Sequence, residues 1–124
     1  MFVSHGAPVL QPLEIYCGKP IFYSLGNFIF HVKSEKSPWR AREVWESVVG
    51  LCSFSDNGEL AEISLHPVSI GGTRTANNNT LEERLAPERV HGEDAEAILH
   101  RFRQHSEKVG TRIRIVGGTG YLSK

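Results

Sequence analysis

The sequence offers two candidates for chemistry, each open to a plainer reading. His5 follows the apolar Phe2-Val3 step and precedes Gly6, a placement that suits an imidazole ligand held at a strand end with the backbone close by. The same placement suits a histidine near the start of the chain that only hydrogen-bonds. In Leu25-Gly26-Asn27-Phe28, Gly26 lets the backbone approach a cleft and Asn27 gives its amide to a substrate or orients a ligand. Alternatively, Gly26-Asn27 is a turn that leads into core phenylalanines. One imidazole is not a site, since a divalent hydrolase centre gathers several ligands from different loops.

The remaining constellations are weaker. His100 and His105 are not four apart, so they do not share a helix face as two ligands would, and with His91 they read as solvated. Gly117-Gly118-Thr119-Gly120 has the glycine content of a phosphate loop but neither the following helix nor the Lys-Ser/Thr pair. Arg40, Arg42 and Arg74 are loop arginines that either meet an anionic substrate or simply solvate. No Gly-x-Ser-x-Gly is present, and neither Cys17 nor Cys52 has a neighbour that marks a nucleophile or a paired metal spacing.

Lys and Arg number 14 against 14 Asp and Glu, so the net charge is zero and no field attracts a polyanion. Nucleic acid is excluded on that ground. No stretch approaches the ~18 consecutive apolar residues of a membrane span, and no basic region followed by an apolar stretch opens the chain. A length of 124 residues suits one domain or part of one.

The elements that position these residues are mostly extended. Leu13–Tyr16 and Pro20–Ser24 read as a hairpin turning at Cys17-Gly18, with Pro20 at a strand start or edge. Phe28–Val32 is a strand or a short buried turn, and Phe22, Tyr23, Phe28 and Phe30 read as sheet core, with His31 facing either way. Lys33–Arg42 is a surface connection. A second hairpin joins Val44–Phe54 to Leu60–Leu65 through Ser55-Asp56-Asn57-Gly58, and Ala61, Ile63 and Leu65 alternate with polar residues. Residues 71–80 have almost nothing to bury and read as a flexible loop. The stripe Ala95, Ile98, Leu99, Phe102 predicts a helix over Glu93–Lys108, acidic at its start and stopped by Gly110. Thr111–Val116 is a last strand, ending in Gly117-Gly118. The class is α+β, built of β-hairpins with one main C-terminal helix.

The stretch Ser4-His5-Gly6-Ala7-Pro8-Val9-Leu10-Gln11, a hairpin, then Tyr23-Ser24-Leu25-Gly26-Asn27-Phe28 resembles CapA/PgsA-type capsule (poly-γ-glutamate) synthesis proteins of the calcineurin-like metallophosphatase group. That family pairs a Gly-His-x-Pro-His-Val-Leu-Gln segment with Tyr-Ser-Leu-Gly-Asn-Phe. The resemblance implies that residues 1–124 are a single partial domain, the C-terminal half of a calcineurin-like sandwich. It also implies divalent metal ions (Mn, Fe or Zn), His5 as a metal ligand, and an anionic polymer or phosphoester as substrate, while the functional reading of Leu25–Phe28 makes Asn27 the candidate catalytic residue. Two positions depart from the pattern: Pro8 stands where the second histidine falls, and Ser4 replaces the leading glycine. The family's other ligands would lie upstream of Met1, which leaves the chain incomplete as a catalyst. A non-catalytic structural or partner-binding module is the alternative.

Overall fold

The computed structural model describes residues 1–30, 41–70 and 86–123. The 71–80 loop, the Lys33–Pro38 part of the predicted connection, His31, Arg40 and Arg74 lie outside the described residues.

Two sheets and one long helix make up the α+β fold. The smaller sheet has the order β1-β3-β2, from β1 (Phe2–Val3), β2 (Leu10–Tyr16) and β3 (Lys19–Leu25). β2 and β3 are antiparallel, with Leu13 opposite Phe22, and both residues face the core. Their tight turn places Cys17 at φ 47° and Gly18 at φ 73°, two successive positive values that match the twist of a two-residue hairpin. β1 adds to the other side of β3 in parallel, pairing Phe2 with Ile21 and Val3 with Phe22.

A 3-10 turn at Arg42–Trp45 leads into the larger sheet, in which β4 (Glu46–Phe54) pairs along the length of β5 (Leu60–Ser69). The other edge of β5 carries β8 (Thr119–Ser123) and, nearer its end, β6 (Glu88–Arg89). β7 (Arg114–Val116) closes the sheet against β8. Ile63 and Leu65 are fully buried while Ala61, nearer the turn, is exposed, so the predicted alternation holds only where the strand passes under the helix.

Helix α1 (Gly92–Glu107) lies within a residue of the expected bounds and buries the predicted stripe of Ala95, Ile98, Leu99 and Phe102. It packs on β2 and on β5, β7 and β8, so it bridges the sheets. Leu10, Leu13 and Phe22 from the small sheet join Val48, Ile63, Leu65 and Ile113 from the large-sheet part of the chain in one cluster under it.

Three expectations are corrected. Phe28–Phe30 is neither strand nor buried turn: Phe28 and Ile29 are exposed, and Phe30 meets Trp45 edge-on at 5.7 Å. Of the four aromatics read as core, Phe22 is buried, whereas Tyr23 lies on the opposite pleat of β3 and is exposed. Gly117-Gly118 does not end the sheet; with φ of 56° and 72° it turns β7 back into β8, a strand the periodicity did not reveal.

Candidate functional site

β1 and β3 run parallel with Val3 opposite Phe22, so both chains leave the sheet in the same direction, each into one of the candidate loops. The last bond of the β1 register is Ser4 N–H to Phe22 O, 2.9 Å, after which the chain leaves the sheet through His5, Gly6, Ala7 and Pro8. β3 ends at Leu25 and passes into Gly26 and Asn27. The two loops meet through side-chain hydrogen bonds. The Ser24 hydroxyl donates to the Ala7 carbonyl at 3.0 Å, and Asn27 Nδ2 donates to the Pro8 carbonyl at 3.2 Å.

The Gly26-Asn27 loop is itself welded to the large sheet. Gly26 has φ +78°, and a Cβ there would sit 2.6 Å from the Glu46 carbonyl oxygen, so only glycine fits. Gly26 bridges Ser47, whose hydroxyl donates to the Leu25 carbonyl at 2.6 Å. Asn27 Nδ2 also donates to the Val44 carbonyl at 2.9 Å. The Asn27 amide nitrogen is thus committed to two backbone carbonyls, and what this side chain offers a ligand is its oxygen. His5 is exposed at the rim of the same region.

A divalent centre requires several converging donors, and the described residues contain no group of three or more His, Cys, Asp and Glu side chains that could hold a metal ion. His5 is one donor, and Pro8, beside it, has no side-chain donor atom. The donor set in the described residues does not make up a metal centre.

Arg42, considered as an anion contact, is already neutralised. Its Nη2 lies 2.6 Å from Asp94 Oδ1, and that hydrogen bond holds the guanidinium more firmly protonated than usual. Its Nε lies 2.9 Å from Glu46 Oε1, an ion pair. Glu46 is 2% exposed, and its other oxygen is held by Arg101 from α1. Asp94, Arg42 and Glu46 of this chain of ion pairs border a polar cleft of about 260 Å³ that Ser69, Arg89 and His91 also line. On the other side of Glu46 an apolar cavity of about 280 Å³ lies between Val9, Leu10 and Phe102.

His91 and His100 are exposed and His105 is half-buried, with His100 Nδ1 sharing a hydrogen bond with Arg103 Nη2 at 2.8 Å. Cys17 and Cys52 are both free thiols, and burial pushes the Cys52 thiol above its usual range. Ser24, Ser47 and Glu46 were not singled out in the sequence. Ser24 falls within the Tyr23–Phe28 motif, which was a usable signal; Glu46 and Ser47 have no local signature, because their partners lie far along the chain.

Comparison with known proteins finds a family match that covers these same loops. Residues 1–32 match the family of the bacterial capsule synthesis protein PGA_cap. A 30-residue stretch, 24% of this chain, is 57% identical to the PGA biosynthesis protein CapA of Bacillus subtilis and covers 8% of that protein. Two uncharacterized proteins of Sinorhizobium fredii, y4sH and y4uA, are each 30% identical across 98% of this chain. The chain spans about a third of the length of these two relatives, 33% in each case. The match and the partial similarity support a relation to the PGA_cap capsule-synthesis family. Among the described residues, no helix is long and apolar enough to cross a membrane.

Proposed function

We propose that this chain is the C-terminal portion of a CapA-like capsule-synthesis protein of calcineurin-like metallophosphatase build, with residues 1–124 forming part of one domain. In this reading His5 supplies one imidazole to a divalent-metal centre whose other ligands come from outside this chain. Asn27 borders the same centre as a catalytic residue, presenting its oxygen to an anionic polymer or phosphoester substrate. The observation that carries the reading is the meeting of the His5 loop and the Gly26-Asn27 loop at one end of β1 and β3, through the Ser24 and Asn27 bonds. The similarity of residues 1–32 to the capsule-synthesis family supports it.

The test places this chain in the aligned third of the y4sH protein and titrates the chimera with Mn²⁺. His5→Ala weakens binding by at least about tenfold if the imidazole is a ligand. Unchanged affinity overturns the role of His5. A second reading, a non-catalytic structural or partner-binding module, draws on Pro8 at the second histidine position and on the commitment of Asn27 Nδ2 to backbone. It predicts no loss of metal affinity from His5→Ala.

A further inference from the structure

We propose that Ser24 and Asn27 act together as a positioning clamp that fixes the Ser4–Pro8 loop, and therefore His5, against the end of β3. The importance of the clamp for chemistry rests on the reading of His5 as a ligand, whereas its existence does not.

The loop has little to order it from within. His5 and Gly6 are exposed, and a Cβ at Gly6 would meet no atom within 4 Å. Two successive carbonyls of the loop are nevertheless gripped, Ala7 by the Ser24 hydroxyl and Pro8 by the Asn27 amide. Both donors come from one short segment that cannot readily move. Ser24 is fully buried, and its Oγ also accepts the Gly26 N–H at 3.2 Å. Leu25 and Gly26 are pinned by Ser47.

Asparagine is the residue that can do this. Its planar amide carries two hydrogens pointing apart, so one nitrogen serves two acceptors in different segments. One hydrogen reaches the His5 loop and the other the 3-10 turn, through Pro8 O and Val44 O. Aspartate has the same shape and no donor. The clamp acts on backbone alone and leaves the His5 ring without a hydrogen bond among the described residues, as suits a ligand-bearing loop: a ligand held to within about 0.5 Å by groups other than itself.

The test is backbone relaxation by NMR on the 124-residue chain with no metal added. In the wild type, order parameters of His5–Ala7 and Val9 lie near those of β4 and β5, about 0.85. Asn27→Asp and Ser24→Ala each drop the loop toward about 0.6 while β4 and β5 stay unchanged. Loop values that do not move in either variant overturn the clamp, as do loop and strand values that fall together, the mark of a merely structural role. Should a variant fail to fold, the wild-type Asn27 side-chain hydrogens decide. They exchange with water more slowly than those of exposed Asn57 if the clamp exists, and equally fast if it does not. His5→Ala leaves the loop ordered, so lost metal affinity with an ordered loop, or the converse, separates this proposal from the metal reading.

Discussion

The two sheets divide the labour of the molecule unequally. The small sheet, with its two loops, holds both candidate residues and the stretch similar to capsule-synthesis proteins, yet of the buried cluster it supplies only Leu10, Leu13 and Phe22. The helix and the large sheet supply Val48, Ile63, Leu65, Ile98, Leu99, Phe102 and Ile113. A sheet this small is not expected to be stable alone. It is held by burial under α1 and by polar welds: Leu13 N–H to Ser106 Oγ at 3.0 Å, Ile15 N–H to Thr111 Oγ1 at 3.1 Å, and the Gly26–Ser47 junction. The first two welds also satisfy the outward-facing N–H groups of Leu13 and Ile15 on β2, an edge strand among the described residues. The difference teaches that the region carrying the candidate residues borrows its rigidity from the region carrying the core.

Substitutions can break or sharpen that contrast. Phe102, fully buried under both sheets, should give the largest effect: Phe102→Ala costs about 3–5 kcal/mol in chemical denaturation and loosens both sheets in one transition. If the small sheet melts separately while the large one survives unchanged, the borrowed rigidity is refuted. Gly26→Ala comes next, at above about 2 kcal/mol, since left-handed strain adds to the 2.6 Å clash with Glu46 O. Gly58→Ala is its control, with φ +77° and open space, and costs only about 1 kcal/mol; equal losses would show that the weld is unimportant.

Ser106→Ala leaves the Leu13 N–H without its acceptor and is expected to cost about 1.5 kcal/mol, with faster hydrogen exchange at Leu13 than at Ile63. The smallest effect belongs to the large sheet. On β5, burial and then the Arg89 charge lower the His66 pKa from 6.5, and its buried Nδ1 has no hydrogen-bond partner among the described residues. A depressed folded pKa means that the unfolded chain binds the proton first. Stability is therefore full above about pH 6.5 and declines as pH falls from there through the folded pKa. His66→Gln should flatten this slope in denaturation curves taken across that range, and an unaltered slope would assign it to other groups.

Periodicity and turn chemistry carried much of the fold into view. Ala95, Ile98, Leu99 and Phe102 fall at helical spacing, and the Cys17-Gly18 and Asn57-Gly58 turns mark their hairpins, because such signals are local. Phe2–Val3 was legible only as the strand end before His5, because its partner lies far along the chain. Thr119–Ser123 was not legible, because it follows a glycine pair that reads as a stop. The aromatic run around Asn27 misled for a physical reason: hydrophobicity alone does not tell which pleat or bend a residue occupies, and Phe28 sits past the strand end. His5 and Asn27 were legible as types. The bonds through Ser24, Asn27 and Ser47 were not, because hydrogen bonds between distant segments leave no spacing to read.

The central claim is that His5 belongs to a metal centre this chain does not complete, and the direct measurement is calorimetric titration of the isolated chain with Mn²⁺ and Zn²⁺. The account predicts weak binding or none, with no high-affinity step for His5→Ala to remove. Sub-micromolar binding in the wild type that disappears in His5→Ala would contradict it, because the chain would then hold a working site by itself.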